Sequence, residues 1–165
     1  MIFKTTLDKL TKGITLAAAI LLLLIIALQL GLVMQASKTL AIVLSAFILA
    51  VFLMAYLFRP LYYELTGSEL IIHRPIKDVK IVRQNILRAE PVDKKQLKGT
   101  IRLFGVGGFF GYYGKFTNSR FGSMTWYATR KDNTILLTTG DKKKILLTPD
   151  EPELFIQELS DTNLK

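Results

Sequence analysis

The chain has 165 residues, a formal net charge of +9, no cysteine and one histidine, and half of its residues are hydrophobic. Its length suits one modest domain with additions. Without cysteine the protein forms neither disulfides nor thiolate metal sites, and a zinc site would have to be built mainly from carboxylates. The positive charge suits either anionic lipid headgroups or nucleic acid as a partner.

Two long uncharged segments occupy the first third of the chain. Residues 14–36 hold 23 positions without a charge, and residues 39–58 hold 20. As helices they would rise about 34 and 30 Å at ~1.5 Å per residue, which is enough to cross a hydrocarbon core of about 30 Å. We therefore predict a transmembrane helical hairpin over residues 14–58. Because the hairpin would hold the basic domain next to lipid headgroups, lipid is favoured over nucleic acid as the anionic partner.

Two other interpretations of the apolar segments fit less well. A signal peptide has an apolar stretch of only about 7 to 15 residues, and no A-x-A site follows the first segment before the second begins. A buried helix pair of a water-soluble protein, apolar on all sides, would need a much larger protein around it.

The segments that flank the hairpin predict its orientation. Only Ser37 and Lys38 separate the two helices, so the helices are antiparallel and both chain ends lie on one side. Positively charged flanks stay in the cytoplasm, and the close flanking residues are Lys4, Lys9, Lys12 and Arg59. We expect residues 1–13 to be a cytoplasmic N-terminal segment and residues 161–165 a short tail. Inside the first helix, Gln29 is predicted to bond within the pair, where small residues such as Ser45 permit close packing.

Strand patterns begin after Arg59-Pro60, where proline ends the second helix. Turn residues separate short apolar runs, which is typical of hairpins. Seven strands are predicted, at residues 61–65, 69–74, 79–82, 100–105, 124–129, 134–139 and 144–149. Polar residues 83–99 are interpreted as a loop with a helical turn near Asn85. Asp150 is predicted to cap a C-terminal helix, since Glu153 stands at the capping-box spacing.

This order of elements resembles a known family. The likeness rests on a first hairpin (63–65 with 70–72), a third strand at 79–82, a meander and a helix introduced by Thr148-Pro149-Asp150. It is similar to the bacterial pleckstrin-homology-like (PH-like) domains found next to transmembrane helices. A further set of residues looks like a branch that we associate with Bacteroidota: Arg102, Gly105, Gly108, Gly111, Gly114, Phe116, Tyr127-Ala128-Thr129, Pro149, Phe155-Ile156 and Leu159.

The resemblance implies a membrane-anchored α+β protein of the bacterial plasma membrane. Residues 60–160 would form a PH-like β-barrel or sandwich of about seven antiparallel strands, capped by the C-terminal helix. In the pleckstrin-homology domains that bind phosphoinositides, basic residues around the first hairpin turn are associated with the inositol lipid. Here that turn is Thr66-Gly67-Ser68-Glu69, which has none, so specific inositol-lipid recognition is not expected.

The segment GVGGFFGYYGKF, residues 105–116, holds five glycines and five aromatic residues. A phosphate-binding loop would need a helix directly after the glycines and a lysine and serine pair, and neither is present. Three uses remain: bends and core packing in a curved sheet, lipid contact at headgroup level, and a docking surface for a protein. The candidate lipid- or protein-binding residues are Phe109, Phe110, Tyr112, Tyr113, Lys115 and Arg120.

The sequence favours a binding function over catalysis. It shows no pairing of nucleophile and base, no carboxylate pair and no metal-ligand cluster, so we predict no catalytic residue, metal or cofactor. We expect a non-catalytic module that contacts membrane lipids and recruits a protein partner or a second copy of itself. A small component of a membrane enzyme or transport complex is the alternative. A nucleic-acid binder is a third class, not favoured here, that would need exposed aromatic rings along a basic stripe. The lysines Lys94, Lys95 and Lys98, like Lys142-Lys143-Lys144, are interpreted as solvated, with a lipid-facing patch as the alternative.

Overall fold

The computed structural model describes residues 1–33 and 37–161. The end of the first predicted apolar segment, residues 34–36, and most of the predicted tail, residues 162–165, lie outside the described residues. Two helices form the N-terminal part: α1 (Lys9–Leu28), which continues into a π-helical turn (Gln29–Val33), and α2 (Lys38–Leu57). Both are long and apolar enough to cross a membrane by length and composition.

The rest of the chain is a β-sandwich closed by a C-terminal helix. A four-stranded antiparallel sheet has the order β1-β2-β3-β4, and a six-stranded sheet has the order β5-β9-β10-β8-β7-β6. The strands are β1 (Ile2–Lys4), β2 (Tyr62–Leu65), β3 (Glu69–His73), β4 (Val79–Val82), β5 (Ile86–Val92), β6 (Ile101–Gly107), β7 (Tyr112–Asn118), β8 (Gly122–Ala128), β9 (Thr134–Thr139) and β10 (Lys144–Leu147). Helix α3 (Pro152–Asp161) follows. The predicted plan of two apolar helices, a PH-like sandwich and a terminal helix is confirmed.

The first strand comes from the segment before the helical hairpin. Ile2, Phe3 and Lys4 pair antiparallel with Glu64, Tyr63 and Tyr62 of β2, the first strand after the hairpin. Both ends of the hairpin therefore enter one sheet at neighbouring strands. Three residues of the expected cytoplasmic N-terminal segment, residues 1–13, thus complete the four-stranded sheet, and the cytoplasmic location of the segment stays a prediction.

The linker between β1 and α1 is held by the other sheet. Thr5 Oγ1 donates to the Thr148 carbonyl at 2.6 Å, and the Thr6 N–H donates to the Asp150 carboxylate at 3.0 Å. The Asp150 N–H in turn donates to the Lys4 carbonyl at 2.9 Å. These bonds correct the predicted role of Asp150. Its carboxylate binds Thr6 and Arg130 instead of capping α3, whose first backbone bond runs from the Phe155 N–H to the Glu151 carbonyl.

Two apolar clusters lie on the two faces of the six-stranded sheet. The inner cluster joins both sheets and α3, and Phe155 and Leu159 of α3 are buried in it. The outer cluster lies on the opposite face beneath the connection between β5 and β6. Because alternate residues of a strand face opposite sides, Leu137 enters the inner cluster and Leu136 the outer one.

Two strands within residues 62–147 escaped prediction, and one pairing differs from the expected antiparallel plan. Residues 83–99, interpreted as a loop, begin with a short 3₁₀ turn (Arg83–Asn85) and continue as β5. Pro91 fits there because β5 is an edge strand, where a missing N–H costs no ladder bond on the open side. The second missed strand, β7, lies in the glycine-rich segment. Strand β10 pairs parallel with β8, so the sheet is not wholly antiparallel.

The helix pair contains the predicted polar contact. Ser45 Oγ of α2 donates to Gln29 Oε1 at 2.9 Å. A buried polar group in an apolar helix pair needs such a partner, so this bond fixes the rotation of one helix against the other. The prediction that Gln29 bonds within the pair is confirmed.

Replacing Phe3 by alanine tests whether β1 is an integral part of the sandwich. Phe3 is 3% exposed and its ring packs edge-on against Phe155 at 5.0 Å. We expect Phe3→Ala to lower the free energy of unfolding by about 3 kcal/mol, through lost burial and a residual cavity. The measurement is urea denaturation in mild detergent, followed by the fluorescence of Trp126, the one tryptophan of the chain.

Ile2→Ala is the matched control for this test, because Ile2 is the neighbouring residue on β1 and is 62% exposed. It should change the unfolding free energy by no more than about 0.5 kcal/mol. Equal effects of the two substitutions would show that β1 does not pack on the domain in solution.

Candidate functional site

The glycine-aromatic segment forms a β-hairpin that reaches the two apolar helices. Strands β6 and β7 pair antiparallel, and the turn between them, residues 108–111, is closed by the Gly108 N–H donating to the Gly111 carbonyl at 2.8 Å. We call this turn the hairpin tip. Phe110 within it has a φ of 56°, a left-handed conformation that is uncommon for a large side chain.

Two facing glycines let the β6 and β7 backbones approach closely. Gly105 pairs with Gly114, and both have positive φ values, 108° and 121°. A Cβ on Gly105 would lie 2.2 Å from the Tyr113 carbonyl oxygen, and one on Gly114 would lie 2.3 Å from that of Phe104. Any side chain at either position would therefore collide with the partner strand. This pair supports the interpretation of the glycines as bends in a curved sheet.

The aromatic rings of the tip pack against α2. Phe52 meets Phe109 and Phe110 edge-on, with ring centres 4.9 and 5.3 Å apart. Tyr56 meets Phe110 at 5.5 Å, and the Arg59 guanidinium lies over the Tyr56 ring at 4.4 Å. Edge-on aromatic pairs of this kind contribute about 0.5–1.5 kcal/mol each beyond the burial of their area.

Hydrogen bonds attach the β6–β7 hairpin to both helices. The Phe110 N–H donates to Thr15 Oγ1 of α1 at 3.0 Å, and that hydroxyl donates to the Thr11 carbonyl at 2.7 Å. The Tyr113 hydroxyl donates to the Ala55 carbonyl of α2. Burial raises the pKa of the Tyr113 hydroxyl well above its usual range, so it stays protonated and remains a donor. The hairpin is thus bonded to α1 and α2 at once.

The six candidate binding residues do not form one surface. Tyr112 and Tyr113 are buried, at 2% and 5% exposure, and Phe109 and Phe110 are half-buried against α2. Lys115 is exposed near the tip, and its amine donates to Thr125 Oγ1 at 2.8 Å. Arg120 lies beyond the far end of β7, with its guanidinium 5.8 Å from the Phe121 ring centre.

An apolar groove between α2 and the β6–β7 hairpin was not found by sequence reasoning. It encloses about 530 Å³ and is lined by Val51 and Met54 of α2 and by Phe104 and Val106 of β6, with the cations Arg74 and Lys115 also in its wall. Phe104 is 78% exposed. A strand pattern shows which residues alternate between the two faces of a sheet, but it does not show which helix packs against that strand. The sequence therefore held no direct signal for this groove.

Besides the ion pairs of Arg130 with Asp132 and Asp150, the described residues contain a close grouping of acid and base side chains around His73. Its Nε2 lies 2.8 Å from Glu64 Oε2 and its Nδ1 lies 3.0 Å from Asp78 Oδ2, while its ring stacks on Tyr62. Both ring nitrogens are engaged by carboxylates, and these contacts together with the Tyr62 stacking fix the orientation of the ring. Within residues 1–33 and 37–161, no group of three or more metal-ligating side chains comes together.

The sandwich and its terminal helix agree with a comparison to protein families. The profile of the bacterial PH domain matches residues 61–163, which is more than half of the chain. The chain belongs to the bacterial PH domain family. No curated protein and no solved structure matches it. PH domains are typically binding modules without catalytic activity, and the assignment to a Bacteroidota-type branch stays a prediction. The β1 strand precedes the matched region, so this PH domain takes in a strand from before the hairpin.

Replacing Gly114 by alanine tests the close approach of β6 and β7. The added Cβ would meet the Phe104 carbonyl in a left-handed backbone conformation, so we expect a loss of at least about 2 kcal/mol of unfolding free energy. Gly67→Ala is the matched control, because nothing lies within 4 Å of a Cβ built there. Urea denaturation followed by Trp126 fluorescence measures both variants. Similar small losses of unfolding free energy at the two glycines would contradict the close approach of β6 and β7.

Proposed function

We propose that this protein is a non-catalytic integral membrane protein that presents a PH domain at the cytoplasmic leaflet of the bacterial inner membrane, with both termini in the cytoplasm. The observation that carries the proposal is the attachment of the hairpin tip to both apolar helices. A binding domain bonded to its own membrane anchor at this point is held against the bilayer surface.

The surfaces of α1 and α2 support membrane insertion. Large apolar side chains stand exposed along both helices, among them Leu16 and Leu23 of α1 and Phe47 of α2, each more than 60% exposed. A continuous apolar surface of this size on a protein in water would promote aggregation, whereas lipid chains satisfy it. The basic residues at the ends of the two helices match the cytoplasmic side of a hairpin.

The hairpin tip supports a role at headgroup level. It contacts Thr15, the second residue of the first apolar segment, and Phe52, which lies six residues, or about two helical turns, before the end of the second segment. Tyr56 of α2, whose ring meets Phe110, is of the amphipathic aromatic type that is favoured in this zone of a bilayer. Lipid acyl chains would continue from the surface of α2 into the apolar groove, where Phe104 meets them, and Arg74 and Lys115 would face lipid phosphates.

The protein-binding part of the proposal rests on β6. This strand is an edge of the six-stranded sheet, and Ile101 and Leu103 on it are both more than 60% exposed. An exposed apolar edge strand can accept a strand from a partner or from a second copy. The burial of Tyr112 and Tyr113 disfavours the nucleic-acid alternative, since those rings are unavailable for stacking on bases.

Single cysteines test the orientation, because the chain has none of its own. Ser37 lies between the helices and Ser160 near the end of α3, and both are exposed. In right-side-out spheroplasts, a membrane-impermeant maleimide should label Ser37→Cys and leave Ser160→Cys unlabelled until the membrane is permeabilised. Labelling of Ser160→Cys from outside would overturn the proposed topology.

A fluorophore on Phe104 tests whether the groove meets lipid. Phe104→Cys and Leu87→Cys suit a matched comparison, because these side chains are similarly exposed, at 78% and 70%. Leu87 is near the start of β5, where the sheet register places it at the end remote from the tip. In vesicles with spin-labelled lipid, we expect the Phe104 label to be quenched several-fold more than the Leu87 label. Equal quenching would show that the domain is not held against the leaflet.

A further inference from the structure

A second cleft lies on the outer face of the six-stranded sheet, beneath the connection between β5 and β6. It encloses about 500 Å³, which is within the range of small-ligand sites. Its floor is formed by the outer apolar cluster, including Tyr112, Phe116 and Trp126, and its rim by the connection at residues 93–100 and by Lys131. It is separate from the apolar groove on α2 and from the first hairpin turn, Thr66 to Glu69.

The residues that line this cleft include four cations and no carboxylate; Asp93, in the same connection, is exposed and does not line it. The cations are Lys94, Lys98, Arg102 and Lys131. Among the described residues none of the four makes an ion pair, although salt bridges occur elsewhere on the domain. Lys131 is positioned by its amine lying over the Tyr112 ring at 4.8 Å. Four like charges gathered around one hollow repel one another, and an anion would relieve that repulsion.

The cleft is held open by specific bonds, so it does not depend on a ligand for its shape. Asn118, which is buried, donates through Nδ2 to the Gln96 carbonyl at 3.3 Å and to Thr100 Oγ1 at 3.2 Å. Leu97, in the middle of the connection, is buried in the outer apolar cluster and packs the connection against the six-stranded sheet. On the floor, the Trp126 indole Nε1–H is buried without a hydrogen-bond acceptor in the described part of the chain. A buried N–H without an acceptor is uncommon in folded proteins, and a nearby acceptor would supply the missing hydrogen bond.

One end of the cleft lies beside the hairpin tip. Gly107 and Tyr112, which line the cleft, directly flank residues 108–111, and a Cβ on Gly108 would lie 2.9 Å from Ile14 Cδ1 of α1. The cleft therefore opens within a few residues of the point where the apolar helices meet the domain. This position places one end of the cleft next to the contact between the domain and α1.

We propose that this cleft binds a ligand bearing one or more phosphate groups, held by Lys98, Arg102 and their two neighbouring cations. Lysine and arginine are the side chains that bind phosphate oxygens through charge-assisted bonds. The phosphate has two possible sources, a phospholipid headgroup at the adjacent surface or a free phosphate compound. The inference does not require that the two helices span a membrane, since the cleft is formed entirely by the PH domain.

The experiment uses the full chain in non-ionic detergent, with inorganic pyrophosphate as the soluble probe. Isothermal titration calorimetry measures binding, and the emission of Trp126 shows whether the cleft is the place of binding. The double variant Lys98→Gln/Arg102→Gln removes two exposed cations of the rim. Lys77→Gln/Lys142→Gln is the control, because it removes the same charge from exposed positions that do not line the cleft. We expect binding to weaken roughly tenfold for each rim cation removed and to be unchanged in the control.

A second arm distinguishes the source of the phosphate. The chain is placed in nanodiscs of phosphatidylcholine or of phosphatidylglycerol, and Trp126 emission is recorded with and without pyrophosphate. If phosphatidylglycerol alone shifts the emission and competes with pyrophosphate, and the rim variant abolishes both effects, the ligand is a lipid headgroup. If only pyrophosphate acts, the ligand is a free phosphate compound. The proposal is overturned if neither probe acts on the wild-type chain, or if the rim and control variants lose binding equally.

Discussion

The pairing of β1 with β2 is the constraint on which the arrangement of this molecule depends. These strands lie on either side of the helical hairpin in the chain, yet Phe3 and Tyr63 are direct neighbours in the sheet. The two helices therefore occupy the position of a loop between two adjacent antiparallel strands. Such a loop must leave and re-enter the sheet at the same end of the two strands, so the start of α1 and the end of α2 are held side by side against the domain. The short linkers, residues 5–8 and 58–61, leave little freedom for the domain to swing.

The hairpin tip adds a second attachment, remote in sequence from the first. Phe110 and Tyr113 reach α1 and α2 through hydrogen bonds, and the Gly105–Gly114 pair gives β6 and β7 the curvature that brings them there. One attachment alone would permit rotation about the linkers. Two attachments on different sheets define a single orientation of the sandwich relative to the helices, which is what a binding module needs if its sites are to face a given surface.

The sequence was informative where a local pattern determines structure, and silent where distant residues decide it. The apolar helices, the first hairpin and Val79–Val82 followed from periodicity and turn residues, and the Gln29 contact followed from the cost of a polar group in an apolar helix.

The β5 strand was missed because Pro91 and its polar neighbours conceal an edge strand that is paired on one side only. Asp150 has the spacing of a helix cap, but its carboxylate accepts a hydrogen bond from the Thr6 N–H, which is 144 positions away. The burial of Tyr112 and Tyr113 could not be read from composition, since an aromatic stripe suits a core and a membrane surface equally well.

The positions of the groove and the cleft follow from these two attachments. Both sites flank the same β6–β7 hairpin, the apolar groove toward α2 and the basic cleft toward the outer face of the sheet. A ligand in either site would bear on strands that are already bonded to the helices. Tyr112 lines the cleft, and the adjacent Tyr113 donates a hydrogen bond to the Ala55 carbonyl of α2. A shift of Tyr112 on ligand binding would therefore act on the residue next to the contact with α2. The hairpin therefore provides a short covalent and hydrogen-bonded path between the basic cleft and the two apolar helices, without any need for movement of the sandwich as a whole.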